Sequence, residues 1–236
     1  MIARSMKMTL VSVGASLLLG ATSAAAAVVV VRSTGPSAKS YPAGKTLADT
    51  AKIELQAGDS LTLLTAKSTR TLRGPGTFSA ASSGRAQLAM AANRRSRFGA
   101  LRAGDLPENP SPWDVDVQSS GKVCIADPAK LMLWRPTADE ATTVTLKGPG
   151  GTEQTVDWAA GRLTVPWPAT LPVVDGAQYE LDWSGASEPT SVSFVTLAAT
   201  PTDPVGAAQT LIEKGCDKQL DSLVDGLGKE APETAN

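Results

Sequence analysis

Two stretches near the C-terminal third of the chain, QYELDW (178–183) and TSVSFVTL (190–197), decide the fold. In both, apolar and polar residues alternate, as Tyr179, Leu181 and Trp183 show in the first. Successive side chains of a β-strand point to opposite faces, so this alternation predicts strands with one buried face and one solvated face. Such strands are typical of an antiparallel sheet.

Further apolar runs precede these two and are separated by turn residues. They predict a β-sandwich domain over residues 112–200, which resembles an immunoglobulin or fibronectin type III sandwich but lacks the two-cysteine-plus-tryptophan core of antibody domains. The runs are WDVDV (113–117), KVCIA (122–126), KLMLW (130–134), TTVTL (142–146), TVDW (155–158) and RLTVP (162–166).

A C-terminal α-helix is predicted over residues 203–228. Asp203 is suited to cap its start, with Pro204 at the first helical position. Apolar residues then recur at a spacing of three to four residues and form one apolar face of the helix. The tail, residues 229–236, is expected to be disordered. The apolar positions are Ala208, Leu211, Ile212, Gly215, Leu220, Leu223, Val224 and Leu227.

The chain has two cysteines, Cys124 and Cys216. We expect a disulfide that holds the C-terminal helix on the sandwich, since an oxidising compartment lets such a bond persist. Closing so long a loop stabilises a fold by about 4–5 kcal/mol in the chain-entropy model. Two buried free thiols are the alternative.

Residues 1–27 have the order of a secretory signal peptide. Arg4 and Lys7 precede an apolar run, and small alanines lead up to Ala27. The chain is therefore expected to be exported, to the periplasm or beyond, with no stable membrane span after cleavage. Retention as an N-terminal anchor is the alternative, because residues 8–31 carry no charge. Cleavage leaves 20 basic against 23 acidic residues, which gives no strong global attraction to nucleic acid or anionic lipid.

Residues 28–78 predict a small β module, in which short apolar runs alternate with turn residues. Within it, YPAGKTL (41–47) followed by IELQAGDSLTLLTAKSTRTLRGPG (53–76) resembles the β-repeat region of FecR-type periplasmic proteins. The resemblance implies a periplasmic interaction or sensing module. The predicted strands are VVVVR (28–32), KIELQ (52–56), LTLLT (61–65) and RTLRG (70–74).

Residues 79–111 are rich in Ala, Arg and Pro and are interpreted as a linker. Four arginines, Arg94, Arg95, Arg97 and Arg102, form its basic run. They are a candidate binding patch for lipopolysaccharide, nucleic acid or an acidic partner, and a solvated linker is the alternative. Nucleic acid itself is not expected, because Phe98 is the only aromatic residue among the arginines.

The complete absence of histidine excludes Ser-His-Asp and Cys-His catalysis and histidine-based metal sites. We therefore predict no catalytic residues, no cofactor and no metal site. The enzymatic alternative is a histidine-free hydrolase that uses Asp114 and Asp116, which lie two residues apart on a predicted strand.

Trp167 lies between two prolines, Pro166 and Pro168, and is the best candidate for an exposed tryptophan. An exposed ring would support a second alternative, a carbohydrate-binding module, because sugars stack on aromatic faces. Trp134 is expected to pack in the core. The sequence thus favours an exported, non-enzymatic binding or interaction component of the cell envelope, whose partner is an envelope protein or a glycan.

Overall fold

The computed structural model describes residues 27–80, 111–229 and 233–234. It is mainly β with a helical C-terminal segment, as the sequence predicts. The predicted linker over 79–111, with its four arginines, lies almost entirely outside the described residues, and so does the predicted signal peptide. Within the described part, no helix is long and apolar enough to cross a membrane.

The N-terminal module contains six strands, which include the four that the sequence predicts. Strand β1 lies at its centre, between β2 and β4, and β5 follows β4 in the same sheet. Strands β3 and β6 form a second, two-stranded sheet. The bounds are β1 Ala27–Thr34, β2 Thr46–Ala48, β3 Lys52–Leu55, β4 Ser60–Leu64, β5 Ser68–Arg73 and β6 Gly76–Ser79.

Both faces of β1 are buried, which explains its unbroken run of valines. Val28 and Val30 pack with the apolar residues of the module's own core. Val29 and Val31 point to the opposite side and pack against the C-terminal helices.

The second module is the predicted β-sandwich, and all eight of its predicted strands form. One sheet has the order β11-β10-β13-β14-β8, and the other has the order β12-β9-β7. Apolar side chains from both sheets share one core. The bounds are β7 Val115–Asp116, β8 Gly121–Ile125, β9 Met132–Trp134, β10 Thr142–Lys147, β11 Glu153–Trp158, β12 Thr164–Pro166, β13 Gln178–Trp183 and β14 Thr190–Thr196.

The C-terminal helical segment is two helices, where the sequence predicts one over 203–228. Helix α1 spans Pro204–Lys214 and begins at the predicted cap, Asp203, whose carboxylate accepts hydrogen bonds from two backbone N–H groups. Gly215 ends it in the left-handed conformation (φ 73°), which glycine adopts without a steric penalty. Helix α2, Asp217–Gly226, begins after Cys216, whose backbone angles (φ −91°, ψ 63°) are not helical.

The helix pair lies between the two β modules and forms a buried seam with both of them. Its apolar residues meet Val29, Val31 and Leu64 of the first module and Cys124 and Leu197 of the second. The predicted Cys124–Cys216 disulfide is present in this seam, and both cysteines are fully buried. Cystine bonds persist in oxidising surroundings, so this one indicates a non-cytoplasmic compartment.

The expected disorder of residues 229–236 is wrong for part of the tail. Strand β15, Gly228–Lys229, and strand β16, Glu233–Thr234, both pair in parallel with β5. The tail is held because β5 would otherwise end the sheet with unpaired backbone groups.

Candidate functional site

The sheets of this protein end in strands of very different accessibility, and these edges define the candidate site. An edge strand carries a row of backbone N–H and C=O groups that another strand can pair with. Among the described residues, three strands of five or more residues lie at or next to the end of a sheet. Strands β8 and β11 are terminal, and β5 is followed only by the two-residue tail strands.

The β8 edge is sealed by a side chain of helix α2. Gln219 is buried, and its Oε1 accepts a hydrogen bond from the Cys124 N–H at 2.5 Å. Its Nε2 donates to the Cys124 carbonyl at 2.9 Å and to the Pro112 carbonyl at 2.8 Å. The Gln219 amide thus pairs with the N–H and C=O of Cys124, as a residue of a neighbouring strand would. The adjacent Cys124–Cys216 disulfide holds helix α2 in this position. We call this the sealed edge.

Two further edges belong to the N-terminal module. This chain occupies one of them, since the tail strands β15 and β16 pair with β5. Strand β2, at the other end of the sheet, has only three residues, and Gln209 of α1 donates a hydrogen bond to the side-chain hydroxyl of Thr46 there at 2.7 Å.

The third long edge strand, β11, has a neighbour on one side only, since β10 is the sole strand that pairs with it in the described parts of the chain. The Gly148 N–H donates to the Thr152 carbonyl at 2.7 Å where the hairpin begins. Antiparallel pairs alternate between hydrogen-bonded and non-bonded positions, so Gln154 and Val156 bond to β10. The backbone groups of Glu153, Thr155 and Asp157 therefore point outward. We call this row of three residues the open edge. At Glu153 the carbonyl accepts a hydrogen bond from Gln154 Nε2 at 2.7 Å, and Gln154 Oε1 accepts one from the Thr170 hydroxyl at 2.8 Å.

The same three residues project their side chains onto the outer face of the sheet, where they are exposed. This outer face of β10, β11 and β13 carries threonines and carboxylates. Its charged residues are Glu153, Asp157, Glu180, Asp182 and Lys147, which give it a net charge of about −3. We call it the acidic face.

Lys147 neutralises one end of the acidic face. Its Nζ lies 2.6 Å from Glu180 Oε1. The hydrogen bond to Glu180 and the charges of Glu180, Glu153 and Asp182 raise the pKa of Lys147 above its ordinary value. The negative charge is therefore least compensated at the other end of β11, around Asp157.

A hollow that is open to solvent adjoins that end of β11. It encloses about 850 Å³, including the solvent above it, and Asp157, Thr142, Thr143, Trp158 and Ser184 are among its lining residues. Carboxylate and hydroxyl groups line it, whereas Trp158 is only 1% accessible and has the Arg135 guanidinium over its ring, 5.1 Å from the centroid. A cationic side chain that entered the hollow would meet the exposed carboxylate of Asp157.

The predicted carboxylate pair, Asp114 and Asp116, lines a narrow cleft between the sandwich and helix α2. Burial raises the pKa of Asp114, and a hydrogen bond from Ser111 opposes the shift. Asp116 is engaged in its own turn, where it accepts hydrogen bonds from the Gln118 N–H at 2.9 Å and the Ser119 hydroxyl at 2.7 Å. The cleft, which Lys122 and Lys218 also line, brings the two carboxylates together in different environments.

The prediction that Trp167 is exposed is wrong. Only 8% of it is accessible, and its indole N–H donates to the Leu171 carbonyl at 2.6 Å. Its ring packs edge-on against Tyr179 and Phe194 in the sandwich core. Trp134 is buried, as predicted. The predicted basic patch, Arg94, Arg95, Arg97 and Arg102, lies outside the described residues.

The open edge was not predicted from the sequence. The run TVDW (155–158) predicts a strand, but which neighbours that strand has depends on pairings between residues that are distant in the sequence. The only local signal is the exposed Glu-x-Thr-x-Asp pattern of residues 153–157. No protein-family model matches the chain, and no curated protein matches it.

Proposed function

We propose that this chain is an exported, non-enzymatic binding or interaction protein of the cell envelope, and that it binds its partner along the open edge. The observation that carries the proposal is the contrast among the long edge strands. The chain covers β5 and β8 with its own residues and leaves the outward groups of β11 without a described pairing strand. Proteins commonly protect such edges from association, so an edge left available suits a binding surface.

Export is the second element of the proposal. It is supported by the signal-like order of residues 1–27 and by the buried disulfide. The resemblance of residues 41–76 to the FecR-type β-repeat region supports a periplasmic location and an interaction role. Mass spectrometry of the exported protein should find an N-terminus between about Ala25 and Val29. Intact Met1 in a membrane fraction would instead support the anchored form.

The binding role is tested by chemical crosslinking of the mature protein in envelope extracts. Two variants at the open edge provide the comparison. Thr155→Pro removes the outward N–H, whereas Thr155→Ala removes only the side-chain hydroxyl and methyl groups. The wild-type protein and Thr155→Ala should crosslink to the same partner, and Thr155→Pro should not. Equal crosslinking of all three would show that the partner binds elsewhere.

A histidine-free hydrolase is the second candidate, favoured by the carboxylate cleft. Asp114, whose pKa is raised by burial, has the environment of a general acid, and Asp116 lines the same cleft. Against this, both oxygens of Asp116 hold its own turn. Assays on glycoside, ester and peptide substrates decide the point, because turnover that Asp114→Asn abolishes would replace the binding proposal.

A further inference from the structure

We propose that the open edge binds an extended, basic peptide strand with the alternating pattern basic-x-Thr/Ser-x-basic. The peptide would add to the sheet beside β11 as a sixth strand. This inference rests on the proposed function, since it names the partner class for the same edge.

The backbone register sets where the added strand pairs. Glu153, Thr155 and Asp157 direct their N–H and C=O groups away from β10, as the alternation from the Gly148–Thr152 hydrogen bond requires. Three alternate residues of a partner strand would lie opposite these three. Because residues opposite each other share a face of the sheet, the partner's alternate side chains would extend the acidic face.

The charges of the acidic face select the partner's side chains. A residue opposite Asp157 meets an exposed carboxylate at the hollow beside Trp158, and a residue opposite Glu153 meets a second carboxylate. Opposite charges across neighbouring strands attract, and like charges repel. A small hydroxyl residue in between suits Thr155. The two basic positions are therefore four residues apart in the peptide.

The two positions are not equivalent. Lys147 stands opposite Glu153 on β10 and compensates part of its charge. Asp157 stands opposite Thr143, which is uncharged. The position opposite Asp157 should therefore contribute more to affinity and to specificity.

The remaining partner side chains would point toward the core side of the sheet. There they would lie beside Gln154 and Val156, which are half-buried at the margin of the sandwich core. Small β-branched residues fit this margin. The full pattern is thus basic and hydroxyl residues outward, with valine-like residues inward.

Two designed nonapeptides of identical composition test the inference on the full mature protein. One has the core Lys-Val-Thr-Val-Lys, and the other has the shifted core Val-Lys-Thr-Lys-Val, which turns the lysines to the wrong face. Calorimetric titration should give a Kd about fivefold lower for the first peptide, as expected for two exposed ion pairs. Equal Kd values, or no binding of either peptide, would overturn the inference.

Four variants localise the binding. Thr155→Pro should fold and abolish binding of the Lys-Val-Thr-Val-Lys peptide, and Thr155→Ala should retain it within about twofold. Asp157→Asn should raise the Kd about threefold, and Glu153→Gln by less. An unfolded Thr155→Pro protein would overturn the register, since its N–H would then face β10. A larger effect of Glu153→Gln would overturn the assignment of the basic positions.

The two proposals fail in different ways. If neither peptide binds but Thr155→Pro still prevents the crosslink to an envelope partner, the edge is a binding site and only the basic pattern is wrong. If Thr155→Pro leaves that crosslink unchanged, the binding function proposed for the open edge is wrong, whatever the peptides do.

Discussion

The two edges of the five-stranded sheet present the same backbone chemistry and have opposite surroundings. At β8, the amide of Gln219 takes up both backbone groups of Cys124, and a disulfide holds the helix in place. At β11, the outward groups of three residues have no pairing strand in the described chain. The protein thus covers the β8 edge with one of its own side chains and leaves the β11 edge without a second pairing strand in the described residues.

The difference separates a structural edge from an interaction edge. The sealed edge lies in the apolar seam where the helices meet both β modules. The open edge lies beside threonines and carboxylates that stay solvated. A partner strand that arrived at β8 would have to displace the buried Gln219 amide, whereas one that arrived at β11 would have to displace only the exposed hydrogen bond from Gln154 Nε2 to the Glu153 carbonyl.

The largest expected effect comes from breaking the sealed edge at its disulfide. The double variant Cys124→Ala, Cys216→Ala should lower the free energy of unfolding by about 2–5 kcal/mol. Denaturant unfolding followed by circular dichroism measures this. A reducing agent should destabilise the wild-type protein and leave the variant unaffected. Two cysteines that alkylate freely in the native exported protein would contradict the paired state.

Proline substitutions compare the two sides of β11. Val156→Pro should destabilise on the order of 3 kcal/mol, because it removes a hydrogen bond to β10 and places the ring in the ladder. Thr155→Pro should change stability by less than about 1 kcal/mol, because its N–H points outward. Thermal unfolding of both variants gives the answer. Equal losses would mean that β11 is paired on both sides.

Gln219→Leu should destabilise by about 1–3 kcal/mol, because it leaves the buried N–H and C=O of Cys124 unsatisfied. Gln209→Leu on α1 is the matched control. That side chain is exposed and makes one hydrogen bond to Thr46, so the effect should stay within about 0.5 kcal/mol. If the two variants were equally stable, the amide of Gln219 would not seal the edge.

The smallest effect concerns the carboxylate cleft beside the sealed edge. Because burial raises the pKa of Asp114, the folded state binds this proton more tightly than the unfolded state. Stability therefore falls as pH rises through the folded pKa. Asp114→Asn should be slightly more stable than wild type at pH 7, and the two melting temperatures should converge below about pH 4. Parallel melting curves across this range would contradict the shift.

Local sequence pattern predicts most of the elements, and long-range contacts determine the rest. Alternation identified β13 and β14, an apolar run identified β10, and the Asp203-Pro204 signal identified the start of α1. Strand β2, with three residues, is too short to show a period. Gly215 fits the apolar spacing of one long helix, so its role as a helix terminator became visible only in its backbone angles.

The open edge was harder to predict from the sequence than the strands were. Whether an edge strand is covered depends on contacts between residues that are far apart in the sequence. Gln219 lies 95 positions from Cys124 in the sequence, and no local pattern predicts the hydrogen bond between them. Trp167 has the flanking prolines of a loop residue. Its backbone N–H nevertheless donates to the Leu131 carbonyl, and its ring packs in the core. Openness of β11 is likewise a property of the assembled sheet.

Amide hydrogen exchange of the mature protein, resolved by residue, tests the central claim most directly. Hydrogen-bonded amides in a stable sheet exchange slowly, and outward amides of an edge strand exchange fast. The account predicts protection at Gln154, Val156 and Cys124 and rapid exchange at Glu153, Thr155 and Asp157. Uniform protection along residues 153–158, or rapid exchange at Cys124, would contradict an open edge at β11 and a sealed edge at β8.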